Sequence, residues 1–528
     1  MSSLPHDEKH GYRTAMADVE TCPIAPRAES DEEIKRDLQS RHINMIAIAG
    51  MIGTGLFLSS GQVIATAGPA GAFLAYILMG FVTAGVAYTT GEITAFIPST
   101  GGFIRHATRF VEPALGAATG WNFWYTMSIS APAEITAAAT IVQFWNTDVN
   151  NAVWITVFGV FIVIINFCGV RLYGESEVIF ASLKIMLIIG LIIGGIVINA
   201  GGGPNHEYLG FRYWRDPGAF NEYIASGSTG RFLAFWKVLL TSAFSYGNIQ
   251  IVAISGSETH NPRKIIPSAT QKTFIRVFVF YVLSIFTIGL IVPSDDPSLS
   301  LSTGTAAQSP FVIAFTRAGI SVLPHIINGV VCTSAISSAS ASMFIASRTL
   351  YGLSRDGHAP RFFQKCNRFG TPSASEVFGW FVNITTVAGL IGWVVIEVTY
   401  LRFWAGLRGQ GFARRVHLPY RNFLQPYAAW ATLLMVVMIV LFSGFDVFTT
   451  GNFTVSGFLT SYLNIAIFAV LYVFFKIYLK SKVITPNKID FASGFNAIER
   501  EKASGEYVVD SGEPWYRPWI HWFQVYCF

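Results

Sequence analysis

The sequence predicts an all-α protein that crosses a lipid bilayer many times, on three observations. Hydrophobic residues make up 52% of the 528 positions and charged residues only 13%, where a soluble chain carries about 25% charged residues. The mean hydropathy is +0.47. The apolar residues are also gathered into blocks near the roughly 20 residues a helix needs to cross a bilayer. Lipid offers the backbone no hydrogen-bond partners, so such blocks must be closed helices. The 44 Phe and 13 Trp suit lipid-facing and interfacial positions. The net charge of +5 is modest and concentrated in particular loops, which gives no reason to expect a nucleic-acid partner.

Taken in order, candidate spans fall near residues 43–65, 70–91, 114–144, 153–170, 179–198, 232–255, 274–292, 323–346, 377–400, 427–442 and 458–478. Residues 1–40 read as a polar tail with no apolar stretch of a cleavable leader. Residues 41–479 form the transmembrane unit and 480–528 a second tail. No loop is large enough for a soluble domain. The five cysteines do not suggest an extracellular disulfide framework.

Loop charge orients the chain. The first tail carries Lys9, Arg13, Arg27, Lys35, Arg36 and Arg41, which places it in the cytosol, and Arg105, Arg109, Arg171, Arg263, Lys264 and Lys272 fall on the same side. One region breaks the pattern. Arg348, Arg355, Arg361, Lys365 and Arg368 precede the block at 377–400, and Arg402, Arg408, Arg414 and Arg415 follow it. Both flanks call for the cytosol, yet a single span separates them. About eleven spans are counted where two cytosolic tails demand an even number, so one span is expected to be missing between Thr371-Pro372 and Glu376.

Residues within the spans point to solute binding. Gly50, Gly53 and Gly55 crowd the first block, and each weakens a helix by about 1 kcal/mol relative to alanine. A break there frees backbone N–H groups at Gly53, Thr54 and Gly55 that can hold a carboxylate; close helix packing through small residues is the alternative. The sixth block carries a matching interruption at Phe244, Ser245, Tyr246, Gly247, Asn248, Ile249 and Gln250. Interrupted helices at matching places in two halves mark transporter sites between inverted repeats.

Ionisable residues inside spans include Glu134, just after Pro132, and Lys184. A carboxyl or amine within the bilayer is a functional candidate by default, with snorkelling the alternative for Lys184. Glu397 and Lys237 lie near span ends and read as interfacial. The hydroxyl-rich stretch with Ser337 and Ser338 fits either a site or close helix contact. No nucleophile–base pair, metal-ligand cluster or phosphate loop stands out, so neither enzyme activity nor a metal or cofactor is expected.

Several longer motifs carry a family resemblance. Arg41-His42-Ile43-Asn44 leading into Gly53-Thr54-Gly55-Leu56-Phe57, Ser99-Thr100-Gly101-Gly102-Phe103, Pro132-Ala133-Glu134, Glu258-Thr259-His260-Asn261-Pro262-Arg263-Lys264 and Ser347-Arg348-Thr349-Leu350-Tyr351-Gly352 resemble fungal amino-acid permeases of the amino acid–polyamine–organocation superfamily. The resemblance implies a LeuT-like five-plus-five inverted repeat followed by two C-terminal helices, a fold the same principle uses as its example, with the ninth span absent. It implies proton-coupled uptake of amino acids across the plasma membrane.

By the same resemblance Thr54 and Gly55 meet the substrate carboxylate, Ser245, Tyr246 and Gly247 lie by its amine, and Phe244 closes over it. Lys184 resembles a lysine standing where sodium-driven relatives bind sodium. Cys527 resembles a palmitoylated cysteine. One departure is Gln250, where the family has an acid, which shifts proton coupling toward Glu134. That change also fits a carnitine or polyamine carrier or a nutrient sensor with little flux, and loss of a span fits a chain that does not transport.

Overall fold

A single glycine turns the chain back into the bundle after its first crossing. In the computed structural model Gly68 adopts φ 74° and ψ 170° beside Pro69, inside the continuous helical run Ser60–Phe96 (α1). Any Cβ at Gly68 would lie 2.8 Å from Ala219 O and 2.9 Å from Asn221 N, so both the left-handed backbone and the close approach require glycine. α1 therefore holds the end of the first span and the whole of the second.

The structure describes residues 45, 48, 50–99, 101–145, 148–167, 170–256, 262–300, 309–360, 376–414, 418–449 and 452–503. Among them the β content is one isolated bridge, Ala200 to Tyr208. After α1 come the short α2 (Phe103–Phe110), then α3 (Pro113–Val142), α4 (Asn151–Phe167) and α5 (Val170–Asn199). The second half begins with α6 (Gly227–Ser245) and α7 (Ile251–Gly256), continues through α8 (Pro262–Ile291), the short α9 (Pro310–Arg317) and α10 (Val322–Arg355), and reaches α11 (Glu376–Gly409). α12 (Tyr427–Leu441), α13 (Val455–Leu479) and α14 (Ala492–Ala503) follow. Among the described residues every apolar block is occupied by helix, with breaks at 52–53 and 246–250, and α2 and α9 take corresponding places, before the third helix of each half.

The packing separates a dry centre from a lipid-facing shell. α3 packs most extensively on α10, and α1 on α8 and α6; their facing positions form one continuous apolar core. α4, α5 and α13 instead leave large apolar side chains such as Phe161, Ile193 and Phe474 exposed, which is stable only against hydrocarbon. The end of the last span is not the end of packed structure, since Ile489, Phe491 and Phe495 are buried against Phe96, Phe110 and Phe403.

Two successive helices run the same way. The last turn of α10 delivers Asp356 to Arg105 of α2, at 2.8 Å. Phe403, late in α11, packs on Phe110 of α2 with ring centroids 5.1 Å apart, and Arg414 beyond it pairs with Glu92 near the end of α1. Both helices thus finish at the face that holds α2, and at 1.5 Å per residue each is about 50 Å long. Residues 361–375, where the sequence leads one to expect a missing span, lie outside the described residues, as do the tail 1–40 and Cys527.

Candidate functional site at two helix breaks

The glycine-rich first block leaves the helix at Ile52 and Gly53 and resumes through one wide π turn, Gly55–Ser59. Three carbonyls freed there are each met by a side chain from a different element. Asn248 Nδ2 donates to Gly50 O at 3.3 Å, the Tyr281 hydroxyl to Met51 O at 3.0 Å and the Ser334 hydroxyl to Ile52 O at 3.3 Å. These three carbonyls are therefore already engaged and do not stand open to a substrate ammonium.

The second break, residues 246–250, separates α6 from α7. Asn248 turns it with φ 72°, a conformation asparagine tolerates better than most residues, and that turn aims its amide at Gly50. The two breaks touch directly. A Cβ at Gly55 would lie 2.9 Å from Ser245 Oγ and 3.1 Å from Phe244 Cδ1. Ser245 Oγ also lies 2.9 Å from the Tyr76 hydroxyl. Tyr246 is fully buried between Tyr76 and Tyr281, so it packs the core behind the break.

On the other side of the second break lies a small cleft of ≈ 40 Å³. Phe244, Gly247, Asn248 and Gln250 supply one wall, Thr126 and Ser130 of α3 a second, and α11 a third, through Thr385, Thr386 and Trp393. Trp393 Nε1 donates to Gln250 Oε1 at 3.0 Å. The lining contains hydroxyls, two amides and aromatic faces, and no Asp, Glu, Lys, Arg or His. Gly53, Thr54, Ser245 and Tyr246 do not line it.

A charged cluster lies behind the first break. Glu134 Oε1 accepts from Ser338 at 3.2 Å, and a Cβ at Gly53 would come within 2.6 Å of the same oxygen. Glu177 Oε2 accepts from Ser337 at 2.7 Å. Lys184 is fully buried within Coulombic reach of both carboxylates, so it does not snorkel. Neutralising buried charges with one another in this way is the arrangement a low-dielectric interior demands.

Sequence reading missed part of this. Glu177 stands seven residues before Lys184, two turns along one helix face, but a span placed at 179–198 left it outside. The cleft walls from α3 and α11 were missed because scattered threonines in an apolar helix satisfy themselves on the preceding turn as readily as they line a site. Glu397, near a span end in the sequence, is 0% exposed. Lys237 is half-buried and pairs with Asp446 at 2.6 Å.

An all-α membrane bundle with two interrupted helices meeting beside a polar cleft defines the class of solute carriers. The chain belongs to the amino acid permease family, whose model matches residues 42–378 and 373–486. The two matched segments meet at 373–378, where α11 begins and the missing crossing was inferred. A proline-specific permease of Emericella nidulans is 40% identical over 89% of this chain and 90% of its own. The proline-specific permease of Saccharomyces cerevisiae is 38% identical over 92% and 82%, and its lysine-specific permease 38% over 89% and 80%. A crystal structure of a manganese transporter from Eremococcus coleocola shares the fold, with a TM-score of 0.52 and 12% identity over 88% of this chain and 99% of that one. The protein is a transporter of the amino-acid permease type and not an enzyme.

Proposed function

We propose that this permease takes up a neutral amino acid together with a proton across the fungal plasma membrane, with its arginine-rich face and both tails in the cytosol. The observation that carries the choice of substrate is the uncharged lining of the cleft. A cationic or acidic side chain brought there would lose its hydration without finding a counter-charge. A zwitterion such as proline needs only dipoles at its two ends, and the broken helices and cleft hydroxyls offer these. The proline-specific relatives support this reading. A polyamine fits it poorly, since Gln250 gives the cleft an amide and not an acid.

The substrate-contacting residues in this reading are Phe244, Gly247, Asn248 and Gln250, with Gly55 and Thr54 behind them. Glu134, Lys184, Ser337 and Ser338 form the coupling cluster. Radiolabelled proline uptake in a permease-deficient yeast tests it, with competition by unlabelled proline, lysine and aspartate. Uptake blocked by proline but not by the charged competitors is expected; uptake blocked by lysine alone sinks it.

The parallel run of α10 and α11 favours one further reading, in which the chain binds its amino acid but moves little of it. Thermal stabilisation of the purified protein by proline, without uptake in cells, distinguishes that outcome.

A further inference from the structure

Glu397 has been given no part in binding or coupling, yet it stands one helical turn beyond the cleft wall. Thr386, Leu390 and Trp393 of α11 line the cleft. Glu397 follows Trp393 by four residues and Thr386 by eleven, spacings that hold one helix face, so it stands one turn further along that face. Its side chain is completely buried. Thr89 Oγ1 of α1 donates to Oε2 at 3.0 Å, and Gln425 Nε2 donates to Thr89 Oγ1 at 2.8 Å. The other oxygen, Oε1, has no hydrogen-bond partner among the described residues.

The charged groups on the α-helices packed against α11 are committed elsewhere: on α3 Glu134 accepts from Ser338, and on α6 Lys237 pairs with Asp446 and Arg231 with Glu222. On α1, Glu92 accepts the Arg414 guanidinium at 2.5 Å, the Tyr400 hydroxyl at 3.1 Å and the Asn422 amide at 3.2 Å. From α2, Arg105 pairs with Asp356, Arg109 with Asp490, and the His106 ring holds Ile97 O. From α13, Lys476 pairs with Glu112. On α11 itself, Arg402 holds Ile484 O and Arg408 lies over Trp404. Among the described residues no ion pair reaches Glu397. An unpaired carboxylate in such surroundings is costly, and a carboxylic acid avoids that cost.

The geometry points to Glu397 as the carboxyl that carries the coupled proton, set at the foot of the cleft and followed by the Tyr400–Glu92–Arg414 column toward the arginine-rich face. In each cycle one O–H bond forms at Glu397, with a proton taken from water entering the cleft. The same bond breaks when the proton passes to water at the opposite face; no other covalent bond changes. This inference rests on the proton-coupled uptake proposed above.

The test uses the full chain in proteoliposomes, measuring proline accumulation against an imposed pH gradient and, separately, proline counterflow at equal pH. Glu397→Gln is expected to lose gradient-driven accumulation by about tenfold or more while keeping counterflow. Glu397→Asp is expected to regain accumulation, and Thr89→Val to move the midpoint of the pH profile. Glu397→Gln accumulating like the wild type, with an unchanged pH profile, overturns the inference and leaves the uptake reading intact. Parallel loss of counterflow and accumulation, without rescue by Glu397→Asp, assigns a structural role and also overturns it. Should Glu397→Gln fail to fold, an unshifted pH profile in both other variants does the same. Wild-type accumulation that ignores the pH gradient removes proton coupling itself, and this inference with it.

Discussion

The indole N–H of Trp393 donates to Gln250 Oε1 at 3.0 Å, joining α11 to the second helix break across the cleft. Leaving a buried acceptor without its donor costs about 1–3 kcal/mol. Trp393→Phe is therefore expected to weaken proline uptake by roughly tenfold in KM, with surface abundance unchanged. Gln250→Glu keeps an acceptor for the indole but adds a negative charge to an uncharged lining. It should favour cationic amino acids, checked by lysine competition.

Gly55 and Gly53 are expected to tolerate no side chain, for different reasons. At Gly55 a Cβ meets Ser245 Oγ at 2.9 Å and the Ser245 Cα at 3.0 Å, so the two breaks must separate. At Gly53 it meets Glu134 Oε1 at 2.6 Å. Overpacking of this kind costs about 1–3 kcal/mol. Gly55→Val should lose uptake by about tenfold or more while still reaching the membrane, and Gly53→Ala should lose less. Gly329→Ala is the control: nothing lies within 4 Å of its Cβ, and alanine favours a helix by about 1 kcal/mol. Uptake assays with surface labelling separate the three.

These contacts also mark how far the sequence could be read. Glycine crowding in one block and a Ser-Tyr-Gly-Asn interruption in another located both breaks, because backbone freedom is written in residue type. Which side chains close the freed carbonyls was not legible: Asn248, Tyr281 and Ser334 come from three separate elements, and only packing brings them together. The burial of Glu397 was not legible for a related reason. Distance from a block's end is a measure along the chain, whereas its burial depends on α1 covering that turn. The expectation of a missing span rests on charge counting along loops, which needs no tertiary contact.

The buried cluster behind the first break predicts strong non-additivity. Removing one partner of a buried charge set costs about 3–5 kcal/mol, because the other charge is left unpaired. Lys184→Met should therefore lower thermal stability sharply, with Glu134 and Glu177 left facing each other's field. Glu177→Gln keeps an acceptor for Ser337 and should cost less. The double variant should be more stable than the sum of the two losses, measured as a double-mutant cycle on unfolding in detergent.

A pH effect is expected outside the membrane segments, at His106 in α2. Burial, against the hydrogen bond to Ile97 O and with Arg109 nearby, pushes its pKa down from 6.5 to about 4. The unfolded chain then takes up a proton that the folded chain refuses. Stability from this group is complete above pH 6.5 and falls as the pH drops toward 4. His106→Gln retains an N–H for Ile97 O without titrating. Its melting temperature should depend on pH over that window with roughly one proton less than the wild type.

The return crossing gives the most direct structural prediction. α10 and α11 both end at the α2 face, held there by Asp356 against Arg105 and by Arg414 against Glu92. A cysteine placed at Asp356 should then react with a membrane-impermeant thiol reagent from the same side as one placed at Arg408, and one at Glu376 from the opposite side. Inserting about 20 apolar residues between Thr371 and Glu376 supplies enough helix to cross the bilayer. If the two helices run in parallel as found, that insertion should leave the labelling sides unchanged and raise both surface abundance and uptake. Labelling that moves Arg408 to the opposite side of Asp356 would show that α11 runs the other way and that no crossing is absent.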